Sequence, residues 1–323
     1  MEYARLGSTG LKVSRLALGC MSYGDPTTDG AHRWALGDDE AQPFFAQAVE
    51  LGITFWDTAN VYQAGTSEEV VGRAIRRYSR REDIVLATKV FGKMHDGPGG
   101  SGLSRKAILE QIDASLNRLR TEYVDLYQIH RFDPDTPVTE TMEALHDIVK
   151  AGKVRYLGAS SMFGWQFAKL QRAAEVGGWT PFVSMQNQYN LLRRQDEPEL
   201  MALCADTGVG LVPYSPNGKG RLARPWGQQS TRSNVDRVVQ AFDSPTDEPV
   251  VNAVQKLAAA RGVTMAQIAL AWVLRHPAVS APIVGATKPH HLPEAVAAFE
   301  LTLTDDEAAA LEEPYTNHGP SWY

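Results

Sequence analysis

The chain has 323 residues, 43% of them hydrophobic and 22% charged, the make-up of a folded globular protein, which excludes collagen, coiled coil and intrinsic disorder. Its 32 Lys and Arg against 38 Asp and Glu leave a formal charge of -6 with no basic tract, so nucleic acid is not an expected partner. Two cysteines, Cys20 and Cys204, are too few for a disulfide framework and fit a reducing cytoplasm. The N-terminus shows no signal-peptide core, and the longest apolar stretch, VTMAQIALAWVL, is about a dozen residues, so neither export nor a membrane partner is expected.

Taken in chain order, the residues before Ser14 predict a β-hairpin turning at Ser8, Thr9 and Gly10, placed to cap one end of the fold. Eight β-rich runs follow: RLALGC from Arg15, ITFWDTA from Ile53, DIVLATKV from Asp83, VDLYQIH from Val124, VRYLGAS from Val154, FVSMQNQ from Phe182, VGLVPYS from Val209 and APIVGA from Ala281. Most are continuously apolar rather than alternating, the pattern of strands buried on both faces of a parallel sheet. Between them lie segments of helical period such as DDEAQPFFAQAVELG, SRKAILEQIDASLNRL, TPVTETMEALHDIVKAG and PELMALCADTG, several opening at Asp, Ser or Thr and closing at Gly. This alternation predicts an α/β fold, a (β/α)8 TIM barrel with an N-terminal β-hairpin and extra C-terminal helices, as one domain over residues 1–323. The gap between the seventh and eighth runs holds the polar segment GKGRLARPWGQQSTRSNVDR and two helices; long loops of this kind are usually functional, and a cover for the active site is expected there.

Active sites of such barrels lie at the carboxyl ends of the strands. Asp57 is read at the end of the second strand, Tyr62 five residues on in the next loop, Lys89 at the end of the third strand and His130 at the end of the fourth, so all four fall on one rim. Singly, each has an ordinary structural use as a turn residue, a packing ring or a rim ion pair. Together they form a proton-transfer set: Lys stabilises a phenolate, a carboxylate orients the Lys, and His holds a substrate oxygen. Tyr62 is then expected to titrate lower, from about 10 towards 7 or 8, a difference of roughly 3 to 4 kcal/mol. Tyr23, Trp34, Phe91, Phe132 and Trp226 sit near carboxyl-end loops and are candidates for an apolar substrate pocket.

Other chemistries find less support. GPGGSG from Gly97 matches GxGxxG, but it follows its strand only after a gap, contains Pro98 and lacks the acidic residue expected after a second strand, so it reads as a loop. No spaced His ligand pair appears, His290 and His291 being neighbours, so no metal is expected. Neither cysteine has a motif partner for nucleophilic catalysis.

DTANVYQAGTSEEVVGRA, LATKV, YVDLYQIH, YLGASSM, SMQNQYNL, PYSPNGKG and PIVGATKP, in that order across nearly the whole chain, resemble the successive signatures of the aldo-keto reductase superfamily. GRLARPWG and the EEPYT segment resemble a bacterial subgroup described as 1-deoxyxylulose-5-phosphate synthase-like oxidoreductases. The resemblance implies a barrel that takes NADPH across its carboxyl face and transfers hydride to a small aldehyde or ketone. It makes Tyr62 the proton donor, Lys89 and Asp57 its partners, and His130 the substrate-orienting group. Ser160, Ser161 and Gln186 would hold the nicotinamide carboxamide and Tyr214 would stack on the ring. Ser215, Lys219, Gly220, Arg221 and Gly285 would face the rest of the cofactor, with Lys288, His291 and Glu294 in the 2′-phosphate segment. Four positions depart from the family pattern: Gln63 stands for a Gly, Ser161 for an Asn, Asn217 for a Leu and His291 for an Arg. Some relatives of the fold partner ion channels, so a nicotinamide-binding regulatory subunit with little turnover is the alternative, and the oligomeric state is left open.

Overall fold

A computed structural model describes residues 1–229 and 244–319. Residues 230–237 of the expected cover segment and the terminal residues 320–323 lie outside the described residues. Strands β1 (Tyr3–Arg5) and β2 (Lys12–Ser14) pair antiparallel as the expected hairpin. Eight further strands then form one parallel sheet: β3 (Ala17–Gly19), β4 (Phe55–Asp57), β5 (Val85–Val90), β6 (Val124–Ile129), β7 (Val154–Ser160), β8 (Phe182–Gln186), β9 (Gly210–Leu211) and β10 (Ile283–Val284). Each falls within one of the eight predicted runs. The spatial order follows the chain from β3 to β9, with β10 beside β3. At the other end, Tyr214 forms a parallel bridge with Ile283, whose N–H donates to Pro213 O at 2.8 Å.

Helices α1 (Asp38–Glu50), α2 (Thr66–Tyr78), α3 (Arg105–Leu119), α4 (Val138–Lys150), α5 (Gly164–Gly177) and α6 (Ala202–Thr207) alternate with the strands. Between β9 and β10 come α7 (Glu248–Arg261) and α8 (Met265–Leu274), the two helices expected there, and α9 (His291–Ala297) and α10 (Asp305–Glu312) end the chain. Ser104 caps α3 as the sequence suggested, its Oγ accepting from Ala107 N–H. Thr136 instead donates to Asp133, and α4 starts after Pro137. The GPGGSG segment is a loop tied by Met94 N–H to Gly100 O at 2.7 Å and Gly102 N–H to Phe91 O at 2.8 Å. No single helix among the described residues is long and apolar enough to cross a membrane.

Side chains alternate across each strand, so residues two apart share a face. One face carries Phe55, Ala87 and Leu126, which cluster with Leu6 and Val13 of the hairpin, with Ala17 and with Val212. The hairpin therefore covers this apolar layer. Two residues further along β4, β5 and β6, on the same face, stand Asp57, Lys89 and Gln128. The strand period itself converts an apolar plug into a polar layer at the carboxyl ends. The opposite faces of the strands pack on the helices in the larger core, where Trp56, Leu86 and Tyr127 are fully buried.

Candidate active site

The polar layer is built around Asp57 and Lys89, whose residues are 2% and 0% exposed. Lys89 Nζ lies 2.5 Å from Asp57 Oδ1, 2.8 Å from Thr58 O and 3.2 Å from the Tyr62 hydroxyl, which uses all three of its N–H donors. The His130 ring meets Tyr62 edge-on at 5.7 Å between centroids. The four residues gathered from sequence thus converge. Asp57 Oδ2 accepts two more hydrogen bonds, from Gln128 Nε2 and Gln186 Nε2, each at 2.9 Å.

Burial pushes the Tyr62 phenol above its ordinary value, and the nearby Lys89 ammonium only partly offsets this. The expected downward shift is therefore not met, because desolvation of the phenolate outweighs the attraction of a cation already neutralised by Asp57. Burial disfavours the Lys89 ammonium, but Asp57 and Tyr62 together carry its pKa upward, so it stays charged. His130 is held far below its ordinary value by burial and by Lys89 and Arg131, and is neutral at physiological pH.

Tyr62 sits on a tight loop where Gln63, Ala64 and Gly65 take φ of 48°, 53° and 98°. Only Gly adopts this region without cost, so a Gln at 63 needs compensation. Its buried amide supplies it, donating to Met21 O at 2.7 Å and accepting from His32 N–H at 2.6 Å. Gln63 thereby ties the loop bearing Tyr62 to the segment bearing His32 and Trp34. Ser161 has φ of 48°, a conformation in which Asn is enriched; its Oγ lies 3.3 Å from the Ser160 hydroxyl and 3.3 Å from that of Tyr214.

A cavity of about 1150 Å³ opens over this layer and runs on to the segment after β10. Asp57, Tyr62, His130, Ser160, Gln186 and Tyr214 line one part of it. Ser215, Lys219, Gly220, Gly285, Lys288, His291 and Glu294 line it as well. Ser161 and Arg221 are not in the wall; the Arg221 guanidinium lies over the Trp226 ring at 5.6 Å. Of the five aromatic candidates only Trp34 lines the cavity. Tyr23 is fully buried, stacked near Phe44 and donating to Ala286 O at 2.9 Å, a core residue rather than a pocket wall. Phe91, Phe132 and Trp226 pack against the larger core, with Phe132 also 6.0 Å from Trp165.

Sequence reasoning passed over Gln128, His32 and Arg131. For Gln128 a signal existed: a polar residue interrupting VDLYQIH, two before His130 and so on its face. His32 and Arg131 line the cavity from irregular segments, where no periodicity points to them.

Eight parallel strands, a charged Lys hydrogen-bonded to a neutral Tyr near their carboxyl ends and a large cavity above are the features of a class of α/β oxidoreductase sites. The chain belongs to the aldo/keto reductase family, whose profile matches residues 15–315. It is 45% identical to a versiconal hemiacetal acetate reductase of Aspergillus parasiticus, over 98% of this chain and 97% of that protein. It is 43% identical to an aldo-keto reductase of Fusarium vanettenii over 98% of this chain and 91% of that one. A putative aryl-alcohol dehydrogenase of Schizosaccharomyces pombe is 42% identical over 97% and 95%. These relatives are fungal and give the bacterial subgroup no support.

Proposed function

We propose that the protein reduces an aldehyde or ketone to an alcohol with NADPH, Tyr62 giving the proton. The observation that carries this reading is the buried chain from Asp57 through Lys89 to the Tyr62 hydroxyl, opening into the cavity. The cavity fits a dinucleotide with a substrate: it exceeds the range of roughly 300 to 1,000 Å³ usual for small-ligand pockets. Asn217 Oδ1, from a residue in its wall, is buried without a hydrogen-bond partner among the described residues. Bound NADPH would supply the hydride. Ser160 and Gln186, which line the cavity, would hold its carboxamide, the Gln186 nitrogen being already engaged on Asp57, and Tyr214 would stack on its ring.

The residues then divide the work. Tyr62 is protonated at neutral pH and has a proton to give to the carbonyl oxygen, while the Lys89 ammonium stabilises the phenolate left behind. Neutral His130 would donate its one ring N–H to the same oxygen without competing as an acid. The reductase and alcohol-dehydrogenase names among the relatives describe the two directions of such chemistry. This reading takes the Tyr214–Ile283 bridge as closing a TIM barrel, the chain as one domain and the setting as cytoplasmic.

NADPH oxidation with 4-nitrobenzaldehyde tests it. Turnover is expected, and Tyr62→Phe is expected to lose at least about a hundredfold in kcat with NADPH affinity nearly unchanged. Cofactor binding without turnover of any carbonyl compound in a broad panel would overturn the reading in favour of a regulatory role.

A further inference from the structure

Gln128 is fully buried and lies behind the residues that line the cavity rather than among them. Its backbone is in register with Lys89 on one side and Gly158 on the other. The missing side chain at 158 makes its place: a Cβ there would lie 2.9 Å from Gln128 Cγ and 2.5 Å from Ser184 Oγ. In that slot Gln128 Nε2 donates to Asp57 Oδ2 at 2.9 Å, and its Oε1 accepts from Gln186 Nε2 at 3.2 Å, orienting the second amide that donates to the same oxygen. Asp57 therefore has one oxygen on Lys89 and the other on two neutral amides.

We propose that Gln128 is a positioning residue that disperses the Asp57 charge and so sets how strongly Lys89 is left free to polarise the Tyr62 hydroxyl. The inference rests on Tyr62 being the proton donor. A carboxylate hydrogen-bonded by neutral donors carries less negative potential towards its other neighbours. Strip the amide away, and Asp57 opposes ionisation of Tyr62 more strongly. Lys89, His130, Arg131, Tyr214 and Cys20 also face this cluster, and none changes in the substitutions below.

Two variants separate charge from packing. Gln128→Met keeps the length and removes the donor; Gln128→Asn keeps an amide but withdraws it from reach. A packing defect would harm Asn more, whereas loss of the donor harms Met at least as much. The alkaline limb of the kcat profile for carbonyl reduction reports the ionisation of the proton donor. It is expected to move to higher pH in both variants, by about half a unit or more for Met. A tyrosinate difference titration of cofactor-free protein, each variant against the same variant carrying Tyr62→Phe, is expected to show the same direction. An unmoved profile with merely reduced kcat, a shift to lower pH, or failure of both variants to fold would assign Gln128 to packing alone and overturn the proposal. Full activity in Tyr62→Phe would instead remove the proton-donor reading beneath it.

Discussion

Burial dominates the ionisation of single residues in this site, and it acts in opposite directions on an acid and a base. It keeps the proton on Tyr62 and keeps one off His130, so the pair presents a neutral donor and a neutral imidazole to the cavity. The histidine has a consequence for stability. Above its ordinary value of 6.5 it is neutral whether folded or unfolded and contributes no pH dependence. Below that value the unfolded chain binds a proton that the folded protein refuses, so stability falls as the pH falls. Thermal midpoints at pH 7.5 and 5.5 should therefore drop less for His130→Asn than for the unmodified protein. Burial likewise lowers His276, and His291 to about 4, but both remain in the variant and cancel in the comparison. Equal drops would mean that His130 is protonated in the folded state.

Between elements, the loop bearing Tyr62 depends on how α2 is anchored. Glu68 in its first turn is fully buried, accepting from Thr88 Oγ1 at 2.5 Å and from Arg118 Nε of α3 at 2.7 Å. One turn on, Gly72 permits close approach, since a Cβ there would lie 2.3 Å from Leu119 O. Removing Arg118 strands a buried carboxylate, so Arg118→Met is expected to cost roughly 3 to 5 kcal/mol in urea denaturation. Arg73→Met breaks an ion pair with Asp38 of 2.6 Å whose side chains are 36% and 37% exposed, and is expected to cost about 1 kcal/mol or less. Similar losses in the two variants would contradict a buried clamp. This clamp also marks where the sequence stopped being readable. Strands such as β5 and β6 were legible because their signal is local, a largely apolar run that carries Lys89 near its end or leads directly into His130. Glu68 and Arg118 are fifty residues apart, and no periodicity links an acid on one helix to a base on the next. Tyr23 misled for the same reason: its neighbourhood in sequence lies at the rim, but Phe44, Phe45 and Ala286 draw it into the core.

At the scale of the whole molecule, one cavity is lined both by Asp57 of β4 and by residues after β10, the two strands that flank β3, so on the function proposed above chemistry and cofactor recognition would share a single site. On the function proposed above, the wall carrying Lys288, His291 and Glu294 would set which nicotinamide is preferred. A 2′-phosphate favours cationic partners, and charge-assisted hydrogen bonds are about twice as strong as neutral ones. Lys288 lines that wall and is exposed, available to such a group. His291 lies beside it, but burial and the charges of His290 and Lys288 lower its pKa to about 4, and its Nδ1 accepts from Thr287 N–H at 3.2 Å. At pH 7.5 it is therefore neutral and adds no ionic attraction, while Glu294 in the same wall opposes an anion. One effective cation against a nearby carboxylate gives a moderate preference. We expect NADPH over NADH by about 1.5 to 3 kcal/mol, or about ten- to a few-hundredfold in kcat/KM. Lys288→Ala should shrink that ratio by weakening NADPH alone, leaving kcat/KM for NADH near its original value. His291→Arg should widen it by restoring a permanent charge at the same wall. Equal use of both cofactors by the unmodified enzyme, or an unaltered ratio in Lys288→Ala, would show that the phosphate is held elsewhere or not at all.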